Sequence, residues 1–395
     1  MKLIYIVITT AIIIMVTGLG IVNATEFVFT GSTGTELHTF IDSNGPGVYI
    51  LASPLTITST LTLDQSYITV RGKVKSTDKW SPSLGGYIGI NMDNGLAINI
   101  TGRGVTLENI CFDVQQDTST VNMIQIACRD CRIEDSLFYN SNGNAITFQS
   151  GSYLAHIEDI RMENNLEYRG TFINFKHTLN SASHHPLDIY IENMAAFNSH
   201  IAFMLRSCEG IYFNDIETYH CDYGIVIDPT TDFSVYNIVF DWVNLDSCRN
   251  GGACFYSSGS HSAFNIIIDQ LWAYSEPSAS RAITLFNVQN IVITDGFISG
   301  SSQYNLINIG PDSKHVQIVS NSIRGDTASS TDIYCAGDDV IIQGNNVRST
   351  NNGYSISMVA GSDNYIVTGN LVCSTPVGAN NPTHILKDNV IIGMG

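Results

Sequence analysis

His200 and Asp222 stand 22 residues apart, and Arg206 and Asp228 repeat that interval six residues later. Arg249 follows Asp222 by 27 residues. Acid–base cleavage of a glycan needs such a set: a proton donor or acceptor, a carboxylate to hold it, and a cation for an acidic sugar. Just upstream, "FKHTLNSASHHPLD" carries Lys176, His177, His184, His185 and Asp188. Tyr219, Tyr223, Trp242 and Trp272 offer faces that can stack on sugar rings, or pack as core and edge. The expected reacting groups are therefore His200, Asp222, Arg249, Asp228 and Arg206. Lys176, His177, Tyr223 and Trp242 are the expected substrate-holding groups. The competing reading is a surface ladder of ion pairs beside a loop with no role, because exposed ion pairs are common and weak.

Those intervals mean something only if the backbone brings the residues together, and a repeat supplies the reason. "DVIIQGNNVRST" (Asp339 to Thr350) returns as "NYIVTGNLVCST" (Asn364 to Thr375), with "HVQIVSNSIRGD" before it. Aligned on the third residue of each apolar triplet, the anchors are Leu107, Ile133, Ile157, Ile191, Phe213, Phe240, Ile268, Ile293, Ile318, Ile342, Val367 and Ile392. Successive differences are 26, 24, 34, 22, 27, 28, 25, 25, 24, 25 and 25. Each phrase reads as a short β-branched strand bounded by polar turn residues, and a second strand falls mid-repeat, as in "NAITFQ" and "YGIVID". A period near 25 with this content predicts parallel strands stacked coil on coil, each coil burying its inward residues against its neighbours. Asn321, Asn345 and Asn370 recur because a tight turn recurs, and stacked amides can bond along the axis. An earlier polar ladder reads Asn109, Asp135, Asp159, Asn193 and Asp215. The interval of 34 marks the main insertion, on the loop that holds Lys176 and His177.

The pattern resembles a right-handed parallel β-helix of the pectin-lyase-like superfamily, over residues 26 to 395. The stretch "GTELHTFIDSNGPGVYILASPLTITSTLTLDQSYITVRG" (Gly34 to Gly72) resembles the opening segment of tailspike-like and pectate-lyase-like β-helices. There a short helix precedes the first strands. Leu37, Phe40 and Ile41 would give it an apolar face that caps the first coil. The resemblance implies an all-β, single-stranded solenoid of about twelve to thirteen coils. It implies recognition, and in many members cleavage, of an extracellular polysaccharide by a lyase or glycoside hydrolase. The superfamily also contains epimerases, esterases and non-catalytic surface proteins, so the alternative is a cell-surface or virion-appendage spacer or adhesin. The sequence ends at "NVIIGMG" almost directly after a strand, so either oligomer contacts cover that end or the last coil is disordered; trimerisation would fit the tailspike resemblance, but no coiled-coil segment follows.

Other motifs are weaker. One residue past the anchors, Glu108, Glu134, Glu158 and Glu192 lead to Asn214, Asp241 and Asp269. Stacked carboxylates repel unless calcium, a shared proton or splaying into water relieves them. Asp241 and Asp269, one coil apart, match the carboxylate spacing of a retaining glycosidase, about 5 Å. "YGIVIDPTTD" resembles the Tyr-Gly-Phe-Asp-Pro-His signature of alginate epimerases, but two residues intrude before Asp228-Pro229 and the histidine is missing. "GDD" at Gly337 to Asp339 lacks the companion motifs of polygalacturonases and reads as a turn.

The charge balance is 18 basic residues against 36 acidic, −18 net, with no basic cluster, which argues against nucleic acid. Nine cysteines include "CRDC" at Cys128 to Cys131. With no second pair at zinc spacing, this reads as buried thiols or a local disulfide. The opening "MKLIYIVITTAIIIMVTGLGIVNA" fits a signal peptide ending at Ala24, or else a retained membrane anchor. The expected organisation is a leader over 1–24, a cap and first strands over 25–66, and the β-helix over 67–395. The expected location is secreted or on the extracellular surface. The expected partner is a glycan, and calcium is the one ion in view.

Overall fold

The computed structural model describes residues 24–73, 86–115, 120–164, 169–176, 185–229, 233–257, 262–275, 281–300, 304–325, 331–349, 355–359, 363–373 and 385–391. The expected leader, apart from Ala24, lies outside them, and so does His177. No helix among the described residues is long and apolar enough to cross a membrane.

The named strands pair in parallel and collect into two sheets. One sheet has 12 short strands, from Leu61–Leu63 to Ile356–Met358. The other has 23, and its central members are long and bent, such as Val235–Cys248. A coil of the solenoid takes one short strand, a turn, and one bent strand. The stack therefore has about twelve coils, and it is the parallel β-helix that the sequence implies.

The anchors stack in register from Val70 through Leu107, Ile133, Ile157, Ile191, Phe213, Phe240, Ile268, Ile293, Ile318, Ile342 and Val367. All twelve are essentially buried, so the recurring triplet fills one interior slot on every floor. Aromatic pairs thicken the core, with Phe213 and Phe240 stacked at 4.6 Å and Phe148 and Phe175 at 4.8 Å. The last anchor needs correction. Val367 pairs with Leu386, and Ile392 lies outside the described residues. The final coil is short, so the 25-residue step overshoots it.

Two residues past each anchor from Leu107 onward the backbone bends through a left-handed residue: Asn109, Asp135, Asp159, Asn193, Asp215, Trp242, Gln270, Asp295, Ser320, Gly344 and Gly369. Only Gly adopts that conformation freely, with Asn and Asp next, which explains the polar ladder. In the later coils the next residue is a buried asparagine. Asn321 Nδ2 donates to Asn345 Oδ1 at 3.1 Å, Asn345 Nδ2 to Asn370 Oδ1 at 3.0 Å, and Asn370 Nδ2 to Asn389 Oδ1 at 2.9 Å.

Helix Gly34–Asn44 opens with a capping box between Thr33 and Glu36 and buries Leu37 and Ile41. It lies against strands Leu55–Ile57 and Leu61–Leu63, so it covers the first coil. Cys128 and Cys131 form a disulfide. Cys111, Cys208, Cys221, Cys248, Cys254 and Cys335 are free and buried.

Candidate functional site

The expected site residues fall in three places. The first is the leading edge of the short-strand sheet. Strand Ser199–Leu205 carries His200, and Asp222 directly precedes strand Tyr223–Ile227. Ile201 pairs with Tyr223, so His200 and Asp222 are also neighbours, and His200 Nδ1 lies 2.8 Å from Asp222 Oδ2. The imidazole is half exposed and the carboxylate mostly covered, at 50% and 16%. The Tyr223 ring meets the imidazole edge-on at 6.0 Å. Burial, followed by the nearby Cys254 and Asp222, raises the Tyr223 pKa, so its hydroxyl is a donor at neutral pH. A carboxylate on Nδ1 fixes the imidazole's orientation and leaves Nε2 for proton transfer.

Arg249 is not the third member of that column. The Arg249 N–H donates to the Cys221 carbonyl, and the Asn250 N–H donates to the Asp222 carbonyl. Ser247 takes a left-handed conformation at the end of the long strand, and one extra residue enters the coil there. A one-residue slip moves a side chain to a neighbouring position, and so Asn250 takes the place assigned to Arg249.

The second place is the trailing edge of the same sheet. Lys176, Arg206 and Asp228 each follow the last strand residue on successive coils, and their backbones pair in that order. Six residues separate His200 from Arg206 along an extended strand, which is about 20 Å. The dyad and the cations therefore cannot touch one sugar ring. Lys176 and Arg206 line a groove of about 220 Å³ with Asn122, Gln125, Asn144, Thr147 and Asn174, residues that the sequence reading passed over. Asn144 Nδ2 donates to Asn122 Oδ1 at 2.7 Å, and Asn174 Nδ2 to Asn144 Oδ1 at 3.3 Å. Thr147 Oγ1 and Asn174 Oδ1 are buried without a partner among the described residues. No carboxylate lines the groove, and neither cation forms an ion pair with a described residue. Beyond it, Met204, Val226 and Cys254, with Ile201 and Tyr223, make an apolar continuation of the same outer face.

The third place is the bent-strand sheet, where Trp242 sits at the left-handed corner, away from the short-strand groove and sharing none of its lining.

The stacked carboxylates do form a column, since Glu108, Glu134, Glu158, Glu192, Asn214, Asp241 and Asp269 pair in register. Side chains relieve the repulsion. Arg71 Nε contacts Glu108 at 2.9 Å, an Arg132 guanidinium nitrogen contacts Glu134 at 3.3 Å, and Tyr212 donates to Asp241 at 3.3 Å. Asp338 pairs with Lys314 in an isolated parallel bridge, and Asp339 is a left-handed bend before strand Ile341–Gln343. His185 is half-buried, with Nε2 3.2 Å from Glu209 Oε2, which also accepts from Tyr236 at 2.6 Å.

This is a right-handed parallel β-helix. Solved structures share the architecture at low identity. The Azotobacter vinelandii mannuronan C-5 epimerase AlgE6 A-module is 13% identical with a TM-score of 0.58, over 91% of this chain and 95% of that one. The periplasmic alginate epimerase AlgG is 9% identical with a TM-score of 0.52, over 93% and 84%. The catalytic domain of a GH87 alpha-1,3-glucanase is 11% identical with a TM-score of 0.52, over 88% and 69%. At these identities the likeness is one of fold. No protein-family model matches the chain, and no curated protein matches it.

Proposed function

We propose that the protein recognises an acidic polysaccharide along the outer face of its short-strand sheet, outside the cell. The observation that carries this reading is the groove of Lys176 and Arg206. Two cations stand among amides and hydroxyls, without a carboxylate partner among the described residues, on a chain of net charge −18. An anion on a sugar satisfies both cations, and sugar hydroxyls suit Asn, Gln and Thr. The mannuronan and alginate epimerases among the solved structures of this fold support an acidic polysaccharide, and the alpha-1,3-glucanase supports a polysaccharide more broadly. The 20 Å strip from cations to dyad suits a polymer rather than a single sugar.

The finer reading is that the His200–Asp222 dyad cleaves the bound chain, with His200 Nε2 moving the proton and Tyr223 donating to the leaving or developing oxygen. Replacing His200 by Ala is then expected to lower turnover by roughly 100-fold or more, the usual range of general acid–base catalysis. Thermal unfolding should stay unchanged, because an exposed pair contributes about 1 kcal/mol at most. Retained turnover would move the chemistry elsewhere. The test of the whole reading is a panel of acidic and neutral polysaccharides, with and without calcium. It follows binding, reducing ends and the ultraviolet absorbance of unsaturated sugars. Unsaturated ends identify a lyase, and reducing ends alone a hydrolase. Binding without either leaves an adhesin. No binding to any acidic polysaccharide removes the proposal.

A further inference from the structure

Trp242, Trp272 and Phe297 come from three successive coils of the bent-strand sheet. They line a depression of about 410 Å³ together with Asn244, Gln270 and Asp295. Asn244 pairs with Trp272, and Trp272 with Phe297, so these three form one column across adjacent strands. Val243 and Leu271, the residues on either side in sequence, point into the core, so the column faces outward. Trp242 stands beside it at the corner, 61% exposed.

The corner is an unfavourable place for tryptophan. Its φ of 52° is in the left-handed region, and most other coils fill that slot with Asn, Asp or Gly. A bulky side chain there gains little from burial, since most of the ring is in solvent. The Asn244 Oδ1 atom is buried without a protein partner. An indole held at a disfavoured backbone position, next to two more aromatic rings, points to a role other than packing.

The occupant follows from charge and area. Asp215 and Asp295 are in the lining and no cation among the described residues is, so uronates, sulfated sugars and nucleic acids are disfavoured. The exposed aromatic surface is roughly 300 Å², taking about 150–250 Å² for each whole side chain. A stable contact with a second copy needs about 800 Å² from each partner. A sugar ring has one C–H face for an aromatic ring and peripheral hydroxyls for Asp, Asn and Gln to accept. We propose that this depression is a second saccharide site, for a neutral pyranose chain. It shares no residue with the cationic groove and does not depend on that reading.

Two of the three tryptophans of the chain are in the depression, so intrinsic fluorescence reports on it directly. The probes are neutral hexasaccharides of glucose, xylose and mannose in β- and α-linked forms, titrated to millimolar concentration. At least one should shift the emission saturably. Trp242→Gly suits the backbone of the corner, as Gly344 and Gly369 do in their coils, so it should fold with unchanged unfolding temperature. It and Trp272→Ala are each expected to weaken that binding at least about tenfold, as loss of a stacking ring does elsewhere. Lys176→Ala/Arg206→Ala should leave it intact. Three results overturn the proposal. No neutral hexasaccharide changes the emission, or an oligouronate changes it as strongly, or sedimentation shows self-association that Trp242→Gly abolishes.

Discussion

Lys176→Ala/Arg206→Ala is expected to weaken binding of a uronate-containing polysaccharide by at least about 100-fold. Each cation that meets a sugar carboxylate makes charge-assisted hydrogen bonds of about 1.5–3 kcal/mol. Two such losses amount to roughly 3–6 kcal/mol, and about 1.4 kcal/mol is tenfold in affinity. The folded state should not suffer. Neither side chain holds an ion pair with a described residue, and Lys176 is exposed. Wild-type binding should also weaken as salt is added, because the groove is open to solvent. Affinity electrophoresis in gels containing acidic or neutral polysaccharide separates the effects. An equal loss on both gels would mean that the variant damaged shape rather than charge. Unchanged mobility on the acidic gel would place the binding face elsewhere.

The largest expected effect on stability is at Asn345. Its side chain accepts from the Asn321 backbone N–H at 2.9 Å and from Asn321 Nδ2 at 3.1 Å. It donates to the Ile318 carbonyl at 2.8 Å and to Asn370 Oδ1 at 3.0 Å. Asn345→Ala removes all four and leaves the buried Asn321 N–H without an acceptor. Three bonds at about 1 kcal/mol each, with about 1–3 kcal/mol for the orphaned buried N–H, put the cost at about 4–6 kcal/mol. Asn346→Ala, one residue on and on the outer face, should cost no more than about 0.5 kcal/mol. Urea denaturation of both variants checks the contrast. Comparable losses would show that the ladder is not what holds these coils. A solenoid can also open locally, so the transition is read by hydrogen exchange at Ile342 and Val367 as well.

The architecture was legible because its determinants are local and periodic. A buried slot demands a β-branched or aromatic residue every coil, and a left-handed corner demands Asn, Asp or Gly. His200 and Asp222 were legible for the same reason, since the coils from Ile191 and Phe213 lack an insertion between anchor and site. Arg249 was misplaced because the extra residue near Ser247 is absorbed into a normal-looking interval of 28 between Phe240 and Ile268. Ile392 was misplaced because a short last coil still ends in an apolar triplet. Treating His200 and Arg206 as one patch ignored the length of a strand. The amide groove was missed because outward Asn, Gln and Thr on a strand look like any solvated face. What distinguishes them is their neighbours on adjacent coils, and the stacking of Gln125, Thr147 and Asn174 could have shown it.

The buried free cysteines have a practical consequence. Cys111, Cys208, Cys221, Cys248, Cys254 and Cys335 are distributed from the early coils to the late ones. Burial raises these thiols, Cys221 and Cys335 to about 12 and Cys254 to about 11. None offers a thiolate to a labelling reagent while its floor is closed. The order in which they become alkylated under mild denaturant is therefore a time-stamped record of which floors separate first, written by the native sequence with no probe introduced.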